Sequence, residues 1–133
     1  MQILIYGCTR LTDALAPILV QDGHQVTVMD PDSDRLALLR KQADVSTVWV
    51  AEPLMLDYLM QGDLAGSEAF FSLTGDDHEN ILLSQMASHI FNIPRVMCHL
   101  SDPQLQDFYQ PLGIGVLNGG PDSLSAARDL LEE

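Results

Sequence analysis

The stretch Gly7-Cys8-Thr9-Arg10-Leu11-Thr12 lies between the apolar run QILIY and a helix-like run. A dinucleotide-binding fold places G-x-G-x-x-G at that point. The chemistry available there is anion binding, because a tight turn brings free backbone N–H groups and the positive end of a helix up to a phosphate. Gly7 fills the first glycine position and supplies the turn. Thr9 holds the second, where its β-branched side chain crowds a pyrophosphate and resists positive φ. Thr12 holds the third, where glycine or alanine permits close helix–sheet packing. Asp13 adds a negative charge in the first helical turn, good for the helix dipole and bad for a phosphate beside it. Arg10 is placed to meet a phosphate. The spacing predicts a nucleotide loop with a weakened grip.

A second candidate is Asp30, 23 residues after Gly7, near the roughly 20-residue spacing of a ribose-binding acid. A carboxylate there accepts bonds from both ribose hydroxyls and disfavours a 2′-phosphate. The ligand class it predicts is NAD, ATP, ADP or AMP rather than NADP. Asp30 reads equally well as the start of an Asp30-Pro31-Asp32 turn. Asp30, Asp32, Asp76 and Asp77 offer hard oxygens to Mg²⁺ or Ca²⁺, but helix capping by Asp32 and Asp76 is the stronger reading. No metal site is assigned.

Cys8, near a helix N-terminus and Arg10, invites a redox reading, yet a small buried loop cysteine fits better. Pairing with Cys98 is disfavoured, because the expected strand order sets another strand between them. His24, His78, His89 and His99 show no ligand spacing. No acid–base pair suited to catalysis presents itself.

These residues must be positioned by elements, and apolar β-type runs alternate with helical runs throughout. Strands are predicted at Gln2–Tyr6, Gln25–Met29, Thr47–Val50, Ala69–Leu73, Arg95–His99 and Gly115–Leu117, mostly continuous apolar runs as in strands buried on both faces. Helices are predicted near Leu11–Gln21, Asp32–Gln42, Pro53–Gln61, Asp76–Phe91, Pro103–Leu112 and Pro121–Leu131. Pro17 predicts a kink or a shifted start in the first. Asp32 and Asp102-Pro103 are helix-opening signals. The alternation predicts one α/β domain over 1–133: a Rossmann-like, doubly wound, parallel six-stranded sheet in three layers. Its ligands belong outside the carboxyl ends of the strands.

The chain carries 19 acidic against six basic residues, a net charge of −13. Such a surface repels phosphate backbones, which argues against a nucleic-acid partner. No apolar run approaches the roughly 18 residues of a membrane span, and QILIY, with no basic segment ahead of it, reads as a strand rather than a signal peptide. Direct membrane insertion is not expected, and a cytoplasmic location is.

VTVMDPDSDRL and SLTGDDHENILLSQMASHIFNIPRVMCHLSDPQLQDFYQPLGIGVLN resemble the nucleotide-binding TrkA-N domain, also called KTN or RCK-N, of potassium channel and transporter regulators. The resemblance covers Met1 to Asn118 and leaves 119–133 to a C-terminal helix. Its most specific pieces are Thr74-Gly75-Asp76-Asp77 with Asn80, then IPRV, Ser101-Asp102-Pro103 and Leu112-Gly113. It implies a non-enzymatic regulatory module that binds NAD(H) or an adenine nucleotide, self-associates and acts on a membrane potassium channel or transporter. By position, residues Gly7 to Thr12 wrap the phosphates, Asp30 holds the ribose, and Thr74-Gly75 line the pocket. The family's Gly-Asp-Ala after the third strand reads Val50-Ala51-Glu52 here, and an arginine after the fifth strand is replaced by His99. The second regulatory domain that often follows is not seen before Glu133. Fold-determining positions are kept while several ligand-determining ones are not, so weakened or altered binding is expected. The alternatives are a structural Rossmann adaptor with no ligand and a minimal NAD-dependent oxidoreductase.

Overall fold

The computed structural model describes residues 1–51 and 64–132. Six strands, β1 (Gln2–Tyr6), β2 (Gln25–Asp30), β3 (Ser46–Trp49), β4 (Ala69–Ser72), β5 (Arg95–His99) and β6 (Gly115–Leu117), alternate with helices. The helices are α1 (Arg10–Gln21), α2 (Ser33–Gln42), α3 (Asp77–His89), α4 (Pro103–Tyr109) and α5 (Ser123–Glu132). The strands form a parallel sheet in the order β3-β2-β1-β4-β5-β6. The Rossmann-like architecture is therefore as the alternation predicted.

The two faces of the sheet bury separate apolar clusters. Leu15 and Leu19 of α1, Leu36 and Leu39 of α2, and Ala127 and Leu131 of α5 cover one face. Ile81, Leu83 and Ala87 of α3 cover the other, with Leu105 and Tyr109 of α4 packed against that cluster. This is a three-layer fold. Each wholly buried leucine contributes roughly 1.5–3 kcal/mol relative to exposure. The chain reverses its winding between β1 and β4, the two central strands. That reversal sets the loops after β1 and β4 side by side, at the place where doubly wound sheets bind ligands.

Several boundaries differ from expectation. α1 starts at Arg10 and runs through Pro17 as one element, so the proline does not displace its start. β3 is an edge strand with partly exposed residues rather than a run buried on both faces. The segment predicted as Pro103–Leu112 divides into α4 and a 3₁₀ turn at Gln110–Leu112. Pro111 has no N–H to continue the α-helical ladder, and Gly113, at φ +90°, ends the turn. The helix predicted over Pro53–Gln61, with Glu52, lies outside the described residues.

Candidate functional site

Gly7 has φ +107°, and a Cβ there would stand 2.7 Å from the backbone of Leu73 and of Thr74. The turn after β1 thus passes against the end of β4 with no room for a side chain. Thr9 follows in extended geometry, φ −111°, as the N-cap of α1. Its Oγ1 donates to the Leu73 carbonyl at 2.9 Å, and its N–H donates to Thr12 Oγ1 at 3.2 Å. Thr12 is fully buried, and its hydroxyl donates back to the Gly7 carbonyl. The two threonines in glycine positions therefore tie the loop to itself and to β4.

Asp30 closes the next tie. Its Oδ2 accepts from the Cys8 N–H at 2.6 Å and its Oδ1 from the Asp32 N–H at 2.7 Å. Asp32 caps α2 through the N–H groups of Asp34 and Arg35. Arg35 reaches back to donate to the Cys8 carbonyl at 3.0 Å and pairs with Asp13 at 3.3 Å. Of the loop's backbone donors, those of Gly7, Cys8 and Thr9 are occupied internally. Among the described residues, the N–H groups of Arg10 and Leu11 and the exposed Arg10 guanidinium keep no protein partner. What the loop still offers an anion is concentrated at the first turn of α1.

Across the switch point, Asn80 is wholly buried and fully bonded. Its Oδ1 accepts from Ser72 Oγ, Thr74 N and Thr74 Oγ1 at 2.8, 2.9 and 2.6 Å. Its Nδ2 donates to the Thr74 and His99 carbonyls, both at 2.9 Å. Asp76 caps α3 through His78 and Glu79 N–H groups. Asp77 accepts from Ser101 N, Ser101 Oγ and Asp102 N at about 3 Å. Thr74 is fixed by this network, whereas Gly75 beside it is exposed with open space around its Cα.

The site is electrically negative. Burial pushes the Tyr6 phenol up to about 12, helped by the charges of Glu79 and Asp30. Burial raises the Glu79 carboxyl too, with Asp76 and Asp30 adding to it. The Cys8 thiol is raised by burial and by Asp13, against the opposing pull of Arg35. It is a buried thiol facing Arg35 rather than Arg10, which answers the redox reading: a thiol held in its neutral form is a poor nucleophile. Cys8 and Cys98 are both free, on chain segments separated by β4. Among the described residues no group of three His, Cys, Asp or Glu side chains could hold a metal.

The structure thus brings Gly7–Thr12, Asp30–Asp32 and Thr74 together at one edge, as their sequence positions predicted. Arg35 and Asn80 are participants whose roles the residue pattern did not assign. Thr9-x-x-Thr12 carries a readable signal, since a hydroxyl at N-cap and an acceptor three residues later is a capping pattern. Arg35 has none, because its contact with Cys8 depends on how α2 docks. A groove of about 640 Å³ opens at the opposite, amino end of the strands, lined by Gln2, His24, Gln25, Thr27 and Asp44 among others.

Residues 3–117 match the TrkA-N domain. The Trk system potassium uptake protein TrkA of Streptomyces coelicolor is 32% identical over 114 residues, 86% of this chain and 51% of that protein. The Trk system potassium uptake protein TrkA homolog of Methanothermobacter thermautotrophicus is 25% identical over 114 residues, 86% of this chain and 52% of that protein. The chain spans about half the length of these curated relatives. The solved TrkA-N domain of the inner membrane protein ybaL from Escherichia coli superimposes with a TM-score of 0.76 at 16% identity, over 98% of this chain and 94% of that one. The NAD(P)-binding domain of an exopolyphosphatase-related protein from Archaeoglobus fulgidus gives 0.70 at 17% identity, over 98% and 96%. At such identities the likeness speaks to fold alone.

Proposed function

Because the chain belongs to the TrkA-N domain family, we propose that it is a non-catalytic regulatory module of potassium transport. In this reading it binds NAD(H) or an adenine nucleotide at the carboxyl edge of its sheet and passes the bound state to a membrane potassium transporter or channel. The potassium link rests on the curated relatives, which are named as potassium uptake proteins. The observation that carries the binding mode is the double use of Asp30, which stands where a ribose acid belongs and already holds the Cys8 N–H.

A ligand at this edge meets the Arg10 side chain and the first N–H groups of α1 with its phosphates, and Asp30 with its ribose. Thr74 and Gly75 form the facing wall. With three loop donors occupied and Asp13, Asp30 and Glu79 nearby, the affinity is weak. Ligands with less phosphate charge are favoured, NAD⁺ and AMP over ATP. Calorimetric titration with NAD⁺, NADH, ATP, ADP and AMP tests the reading. Binding in the micromolar to low millimolar range that disappears in Asp30→Ala supports it. No heat with any of the five sinks it, and leaves a ligand-free structural adaptor. The link to transport is tested separately. Loss of this chain should lower potassium uptake in cells that depend on a Trk system, and unchanged uptake contradicts the link.

A further inference from the structure

Trp49 is the only tryptophan of the chain, and the residue is 59% exposed at the carboxyl end of edge strand β3. Its Nε1–H donates to the Pro31 carbonyl at 3.0 Å. The polar atom of the ring is thus occupied and the ring is oriented, while much of its apolar surface stays open. Trp49 is also the register partner of Asp30 in the β2–β3 pairing. Register partners on parallel strands project to the same face of the sheet, about 4.8 Å apart.

The strand order β3-β2-β1 sets a direction across this edge. A nucleotide anchored by phosphate at the loop after β1 and by ribose at the end of β2 projects its base onward, one strand spacing further, to the end of β3. Trp49 stands there. We propose that the Trp49 indole is the platform on which the purine base stacks, making it the residue that selects a base-bearing ligand over its sugar phosphate. The inference rests on the nucleotide reading above and adds a residue and a recognition chemistry to it. An aromatic face accepts a flat base without needing hydrogen bonds to its edge, and here that face is fixed before the ligand arrives.

The single tryptophan makes the test direct. AMP is titrated into the full chain, with heat and tryptophan emission followed in parallel, and ribose 5-phosphate serves as the ligand that lacks a base. Quenching is expected to saturate at the same concentration as the heat. Trp49→Ala is expected to weaken AMP about tenfold while leaving ribose 5-phosphate unchanged, and Trp49→Phe to stay within about threefold of the parent. Heat from AMP without an emission change, or an equal loss for both ligands in Trp49→Ala, overturns the platform and leaves the nucleotide reading standing. No heat from AMP in the parent chain overturns the platform, and no heat from any of the five nucleotides overturns the nucleotide reading with it.

Discussion

Thr12 illustrates how much of this site is decided by single hydroxyl groups. Its oxygen accepts from the Thr9 N–H and its proton goes to the Gly7 carbonyl, all within one turn. Thr12→Val keeps the shape and removes both bonds, leaving a partly buried donor and a buried acceptor unpaired. We expect a loss of about 1–3 kcal/mol, read from the urea midpoint. Gly7→Ala is expected to do more harm, of the order of 3 kcal/mol or an outright failure to fold. Its methyl would overlap the Leu73–Thr74 backbone and its φ is positive; an unfolding midpoint within error of the parent would contradict the close approach. The glycine pattern was legible in the sequence as a loop with two missing glycines. That the threonines replace lost freedom by tethers was not, because the acceptor of Thr9 is Leu73, just past the end of β4 and 64 residues away.

At the scale of elements, the segment most specific to the family fastens helix α3 to two strand ends. Asn80 joins Thr74 to His99, and Asp77 joins α3 to the loop after β5. Asn80→Ala strands several buried groups at once and should cost about 3 kcal/mol, measured by denaturant unfolding. Asp77 has a worked pH consequence. Burial raises its carboxyl, but the N–H groups of Ser101 and Asp102, the Ser101 hydroxyl and the nearby His99 together hold it below its ordinary 3.8. A depressed folded-state value means the contribution is present above pH 3.8 and is lost as pH falls through the folded value. Asp77→Asn is therefore expected to cost about 1 kcal/mol at neutral pH, kept modest by solvent screening. The difference should narrow as pH falls below 3.8, and a gap that does not narrow with acidification would contradict the assignment. The caps Asp32, Asp76 and Asp102 were readable from sequence because capping is local. The clamp through Asn80 and Asp77 was visible only as a motif, since its meaning depends on strands that are distant in the chain.

At the scale of the whole molecule, strand–helix alternation made the architecture legible, because right-handed crossovers leave few other arrangements. Exposure was harder to read. The run Thr47–Val50 looks like a strand buried on both faces, but it borders the sheet edge and leaves Trp49 open to solvent. Of six large apolar side chains exposed among the described residues, Leu82 and Ile90 lie on α3 and its C-cap, and Phe108 and Leu112 on α4 and the turn after it. With a net charge of −13, copies of the chain repel one another at low salt. We propose that the self-association implied by the family resemblance uses this exposed apolar surface; it should strengthen with salt and be lost in Phe108→Glu, as read by sedimentation velocity. A monomer at every salt and protein concentration would contradict that proposal.

In the reading proposed above, this edge binds a nucleotide through a loop already fastened by its own side chains. It is tested most directly by amide-resolved NMR while AMP is added. We predict shifts confined to the Cys8–Asp13 turn, Asp30–Asp32, Trp49 and Thr74–Gly75, with the Cys8 amide among the largest as its bond to Asp30 gives way to ligand. Unmoved amides at millimolar AMP, or shifts confined to the groove around His24 and Asp44 at the opposite edge, would contradict it.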